Sequence, residues 1–208
     1  MPAGRPRTFD TDEALAAAMR VFWRRGFRAT TTRDLEDELG LGQSSISAAF
    51  GTKSDLADAA LARYVGMIRR ALLVPLRESD DGLAAIDRFL GELSDWHCAD
   101  GGRGCMLGRF MCEGVASEPK IAARIREYRD ELHAALGGAL ARAAAAGEIP
   151  AERVDERRDL IVAVVLGMNL AVQAGYDVPG LRGLARAGRL QIASWAPHGT
   201  PAARRRQP

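Results

Sequence analysis

The sequence predicts an all-α chain: a three-helix helix-turn-helix head followed by a larger helical bundle, about nine helices in all. Three observations carry that prediction. Apolar residues recur with a helical period through most of the 208 residues, strand-like alternation is nearly absent, and Gly or Pro interrupts the pattern at element ends. With 47% hydrophobic residues, the chain can bury a sizeable core.

The first helix opens at Asp10, with Glu13 at capping-box spacing, carries Leu15, Met19 and Phe22 on its apolar face, and ends at Gly26. A short second helix starts from Thr31 as N-cap, with Asp34 three residues on, and runs through Leu35 and Leu39. Gly40-Leu41-Gly42 is then a turn. A third short helix, Gln43 to Phe50, turns Ile46 and Phe50 inward, and Gly51 stops it. Thr52 and Asp55 repeat the capping-box spacing at the head of a fourth helix, which should end near Val74, before Pro75.

Beyond Pro75, "ESDDG" (Glu78 to Gly82) reads as a polar connector, and a helix carrying Leu83, Ile86, Phe89, Leu90 and Leu93 follows. "ADGGRG" (Ala99 to Gly104) should break it. A short helix from Cys105 to about Val115 and a long one from Pro119 to Ala146 come next. The helix from Val154 to Ala174 is apolar nearly all round in its middle, which implies burial. A last helix spans about Gly180 to Trp195. The resulting division is a helix-turn-helix head over residues 1–52, a helical body over 53–195, and a tail over 196–208 expected to be disordered.

Composition excludes several classes. The N-terminus has no apolar core of the kind an export signal needs, and "LIVAVVLGMNLAV" (Leu160 to Val172) is too short to cross a membrane, so a cytoplasmic protein is expected. An enzyme is not expected: Asp130-x-x-His133 occurs once, without the second copy a di-iron bundle needs, and nucleophile-elbow and phosphate-loop patterns are missing. No cofactor is implied. His97, Cys98 and Cys105 are too loosely spaced to argue for a metal.

Two short helices joined by a glycine turn and braced by a preceding helix form a helix-turn-helix, whose second helix lies in the major groove. Short polar residues at Gln43, Ser44, Ser45 and Ser47 suit such a helix, since they let it approach base edges; Gln43 is the candidate adenine contact. Net charge gives no simple support. Residues 1–56 hold eight basic and eight acidic side chains, although the first 33 hold seven basic to three acidic. "GRPR" (Gly4 to Arg7) reads either as a basic arm entering a minor groove through Arg5 and Arg7, or as a disordered tail.

"TTTRDLEDELGLGQSSISAAFGTKSDL", with "RVFWRRGFRATT" before it, resembles the signature of the TetR family of transcriptional regulators over roughly Thr8 to Leu61. The segment Gly104 to Ile149 resembles a subgroup with a Gly-Cys pair before a short helix. The resemblance implies a repressor that binds a palindromic double-stranded operator as a homodimer and is released by a small-molecule or thiol-reactive inducer. The apolar content of the last two helices exceeds what one bundle would bury, so they are expected to form the dimer, unless the first of them is simply the core of the monomer. Carried over by position, Thr31, Thr32, Arg33 and Lys53 would touch phosphate, and Gln43, Ser44, Ser45 and Ser47 would face the groove. The family commonly has tyrosine where this chain has Ser47, and often an aromatic residue or histidine at Ala48 or Ala49.

Met67, Phe89, Trp96, Met106, Phe110, Met111 and Met168 fall on helices expected to surround a family-type ligand cavity. Cys105, near a helix N-terminus and beside Arg103, is expected to have a lowered thiol pKa, and the resemblance to the Gly-Cys subgroup implies a candidate redox sensor, with Cys98 as a partner if the glycine-rich loop folds back; an idle buried cysteine is the preferred reading. Cys105 and Cys112, seven residues apart on one helix and thus roughly 10 Å apart along its axis, are too distant for a disulfide. The alternative function, from another class, is a small-molecule-binding or redox-sensing helical protein whose degenerate head does not bind DNA.

Overall fold

Asp10 starts the first helix, α1 (Thr11–Arg25), by accepting the amides of Asp12 at 2.8 Å and Glu13 at 3.2 Å on Oδ1. The structure, a computed structural model, describes residues 9–114 and 118–196, without the side chains of residues 100 and 101. Arg5, Arg7 and all of the expected tail except Ala196 lie outside the described residues.

α2 (Thr32–Leu39) carries the capping box complete: Asp34 N donates to Thr31 Oγ1 at 3.1 Å and Thr31 N donates to Asp34 Oδ2 at 2.8 Å. Gly40 ends it in the left-handed region (φ +63°), the conformation that costs a side-chain-free residue least. α3 (Gln43–Phe50) follows, then α4 (Lys53–Ile68) behind a second box made by Thr52 and Asp55.

Two punctuation marks in the sequence act differently from expectation. Pro75 does not end α4. The helix widens into a π-helical turn, Arg69–Leu73, in which the Val74 amide bonds back to the Arg69 carbonyl, and continues as α5 (Val74–Glu78) with Pro75 in its first turn. A regular helix has no room for a proline ring against the carbonyl four residues back; one extra residue in the turn relieves that clash. "ADGGRG" does not break the next helix at Ala99 either. α6 (Leu83–Gly102) runs through it, and Gly104 N bonds back to the His97 carbonyl at 3.2 Å, so the glycines form a C-terminal cap.

α7 (Met106–Cys112), α8 (Pro119–Ala145), a 3-10 turn (Ala151–Arg153), α9 (Val154–Gln173) and α10 (Val178–Ala193) complete the chain. α10 begins before Gly180 because Asp177 caps it, accepting the Gly180 amide at 2.9 Å. With α4, the π turn and α5 taken as one rod, the described residues hold nine helices and no strand.

Two compact units share the chain. The first takes in residues up to Met67 together with Cys105–Tyr128, so that α4, α7 and the start of α8 group with α1–α3. Its aromatic core explains why: Phe110 of α7 meets Phe22 edge-on at 6.3 Å and Phe27 at 6.1 Å, and Tyr64 of α4 meets Trp23 at 5.0 Å.

The second unit holds Ile68–Gly104 and the chain from Arg129 onward. Its core includes Phe89, Leu90, Leu136, Leu140, Ile161, Met168, Leu181 and Ile192. Arg189 of α10 forks onto Asp87 of α6 at 2.7 and 2.6 Å, and Arg69 forks onto Glu131 of α8 at 2.7 and 2.6 Å. The expectation that α9 is buried all round is corrected here. Ile161, Val165 and Met168 point inward, but Leu166 is 46% and Leu170 61% exposed. Leu170 and Leu184 of α10, also exposed, line a groove of ≈ 530 Å³ together with Val164, Gly167, Ala171 and Gly188 among others.

Candidate nucleic-acid interface

The interface is built on α3. Ile46 is its one buried side chain, Phe50 is half-buried against Phe9, and Gln43, Ser44, Ser45, Ser47, Ala48 and Ala49 are all exposed. At 100° per residue, Ser44 and Ala48 lie opposite Ile46 and so centre the outward face. Nothing on that face is longer than Ser or Ala except Gln43 at its N-terminal edge.

The start of α3 has no cap of its own, because Gly42 lacks a side chain. Glu36 of α2 supplies it: its Oε1 accepts the Gln43 amide at 2.7 Å. One carboxylate therefore ties the two helices of the motif across their turn.

Among the described residues, four arginines of the head lie beside acids of α2. Arg24 Nη2 lies 2.6 Å and Arg20 Nε 3.7 Å from Glu38, Arg25 Nη1 lies 2.9 Å from Asp34, and Arg33 Nε lies 3.9 Å from Asp37. Asp34 is held below the usual carboxylate range, first by the amide and hydroxyl of Thr31 and then by Arg25 and Lys53. Thr31 spends its hydroxyl on Asp34, while Thr32 and Arg33 are exposed at the start of α2.

Lys53 begins α4. It is half-buried, with Nζ 4.7 Å from the centre of the Phe27 ring. Burial pushes its ammonium down from the ordinary lysine value, and Glu113 and Glu118 oppose that shift. Beside it Asp55 is driven far below its usual range by Lys120 and Thr52, and Arg124 of α8 forks onto Asp58 at 2.7 and 3.0 Å.

Glu113, just past α7, accepts the backbone amides of Phe27 at 2.8 Å and Arg28 at 3.0 Å on Oε2. Arg28 returns a bond to the Gly114 carbonyl at 3.3 Å. Sequence reasoning found neither Glu36 nor Glu113. Glu36 carries a weak signal, seven residues before an N-terminus with no side-chain cap; Glu113 carries none.

Cys105 is 8% exposed, and burial pushes its thiol up, with hydrogen bonds from Tyr64, Gly108 and Leu107 opposing. That corrects the expected lowering: the thiol is taken out of water, and desolvation outweighs its place before α7. Cys98, Cys105 and Cys112 are free thiols, half-buried, buried and exposed in turn. In the second unit the fully buried His97 has Nδ1 2.7 Å from the Leu93 carbonyl and Nε2 2.9 Å from Asn169 Oδ1, so both ring nitrogens are engaged.

The seven residues expected around a ligand fall in both units. Met67, Met106, Phe110 and Met111 belong to the first, where Phe110 completes the aromatic core and Met111 is 44% exposed. Phe89, Trp96 and Met168 belong to the second, and Met168 also lines the groove between α9 and α10.

No helix among the described residues is long and apolar enough to cross a membrane. The family model for bacterial regulatory proteins of the tetR family matches residues 14–60, a span that covers most of α1 through the first half of α4. The HTH-type transcriptional repressor ComR of Escherichia coli is 26% identical over 185 residues, covering 88% of each chain. The repressor BdcR of Escherichia coli is 34% identical over 115 residues, 55% of this chain and 56% of BdcR. Among solved structures, a cysteine mutant of the TetR-family regulator CifR, complexed with 26-bp operator DNA, superposes with a TM-score of 0.79 at 25% identity, over 90% of this chain and 98% of that one. The head over residues 14–60 is thus that of the tetR family of bacterial regulatory proteins, and over most of its length the chain is similar to transcriptional regulators of that family.

Proposed function

We propose that the chain is a cytoplasmic repressor that binds a palindromic operator as a homodimer and leaves it when a small-molecule or thiol-reactive inducer occupies the helical body. The observation that carries this reading is the outward face of α3, polar, short-sided and backed by a head whose turn is tied by Glu36. In this reading Gln43 pairs with an adenine edge, Ser44, Ser45 and Ser47 line the groove, Thr31, Thr32, Arg33 and Lys53 meet phosphate, and Arg5 and Arg7 enter a minor groove. The open apolar faces of α9 and α10 are the proposed dimer surface, because Leu166, Leu170 and Leu184 otherwise stand in water.

Release follows from differential affinity: an inducer that binds better to a state with mis-spaced heads draws the dimer into that state. Phe89, Trp96 and Met168, all in the second unit, are the proposed apolar contacts. His97 and Asn169 supply the polar pair on α6 and α9. The named relatives support repression, since ComR and BdcR are repressors and CifR is seen on its operator.

Gel shifts on DNA upstream of the chain's own gene test the reading. Specific binding that is lost in Gln43→Ala and Lys53→Ala dimers is the expected result. Absence of specific binding at every salt concentration would overturn it in favour of a head that no longer binds DNA.

A further inference from the structure

We infer that Glu113 is a positioning residue for operator binding, acting through the turn between α1 and α2; the inference rests on the repressor reading. The turn carries two successive amides, Phe27 and Arg28, and Glu113 Oε2 takes both, at 2.8 and 3.0 Å. Charge-assisted bonds of this kind are among the stronger ones in proteins.

The fit is close. A Cβ placed on Gly26 would lie 1.5 Å from Glu113 Oε1, and Gly26 also has φ +83°, so glycine alone leaves room for the carboxylate. The far end of the turn is held by Thr30, buried, whose hydroxyl donates to the Gly26 carbonyl. Thr31, the N-cap of α2, follows directly.

Glu113 is anchored on its own side as well. Met106 and Phe110 of α7 are fully buried, and Phe110 packs on the Phe22 and Phe27 rings. Glu113 also sits at the C-terminal cap of α7, where the helix dipole disfavours an anion. Its two amide bonds to the turn offset that local cost. Because Glu113 points into the turn, it sets where Thr31, Thr32 and Arg33 begin α2 without adding a phosphate contact.

The test uses the full-length chain and a duplex recovered by selecting random DNA on the parent protein. Glu113→Ala and Glu113→Asp are each expected to weaken binding by about tenfold, the scale of a charged hydrogen bond lost. Glu113→Gln, which keeps an acceptor oxygen in place but not its charge, is expected to lose less than either. The slope of log K against log salt should match the parent in all three, since no phosphate contact is removed. Amide exchange at Phe27 and Arg28, measured without DNA, should speed up in the Ala and Asp variants alone.

Parent-like affinity in Glu113→Asp, an altered salt slope, or equal losses in Glu113→Gln and Glu113→Ala would each overturn the inference, as would unchanged exchange at the two amides. If the parent selects no DNA sequence, the repressor reading fails by itself. The exchange data then still decide whether Glu113 holds the turn.

Discussion

Glu36 Oε1 accepts the backbone amide of Gln43 at 2.7 Å, so an acid in the middle of α2 caps the helix that faces the groove. Replacing Glu36 with Ala leaves the amide at the start of α3 without its partner. The expected cost is about 1 kcal/mol in head stability, the usual value of a lost N-cap. Glu36→Gln keeps an acceptor and should recover most of it. Urea unfolding of the two variants measures the difference.

The outward face of α3 centres on Ser44 and Ala48. Ala48→Glu places a carboxylate where DNA would press closest, and about a hundredfold loss of operator affinity is expected, with the unfolding midpoint unchanged. Ser47→Tyr should raise affinity severalfold by adding a phenolic contact to the DNA backbone. Titration of both against one labelled duplex is the measurement.

The thiols differ in burial and therefore in reactivity. Cys112 is exposed, whereas burial raises the Cys105 thiol above its ordinary value. In a brief pulse of iodoacetamide near neutral pH, Cys112 should be labelled well ahead of Cys105, because the thiolate is the reactive form. Labelling of Cys105 should climb only at higher pH or on partial unfolding. Peptide mass spectrometry reads the order; equal rates at neutral pH would contradict the burial argument.

Leu170 is 61% exposed on α9 beside the apolar groove. Leu170→Arg should yield a folded monomer that has lost operator affinity, since two heads are needed for two half-sites. Light scattering gives the mass, and far-ultraviolet dichroism shows that helix content is retained.

Acid should loosen the head through its caps. Asp34 and Asp55 both have lowered values in the folded chain, so their contribution is present above the ordinary aspartate value of 3.8 and fades as pH falls below it through the folded values. Asp34→Asn and Asp55→Asn should flatten the acid limb of a stability-against-pH curve and leave its neutral-to-alkaline part with the parent's shape.

What the sequence disclosed and what it hid divide by distance along the chain. Caps at Asp10, Thr31 and Thr52, the Gly40 turn and the inward Ile46 are local: each depends on residues within four positions, and each stood in the sequence. Glu113 and Phe27 are 86 residues apart, and no local pattern announces their bond. Pro75 and the glycines after Ala99 misled because a breaker acts only against regular geometry. A π turn accommodates the first, and a C-terminal cap uses the second. Cys105 misled because Arg103 lies near it in sequence, whereas the folded chain buries the thiol and that burial, which no local pattern announces, raises it.

The pairing of Arg20, Arg24, Arg25 and Arg33 with the acids of α2 bears on how the protein searches a chromosome. Random duplex attracts a protein through its uncommitted cations, and here these four arginines share three carboxylates, Glu38, Asp34 and Asp37, which offset part of their charge. Encounters with unrelated DNA should therefore be brief, and sliding along it short. Occupancy of the operator would then rest on the fit of a small-sided helix more than on residence near the helix backbone. A regulator built this way exchanges speed of search for freedom from the bulk of the genome.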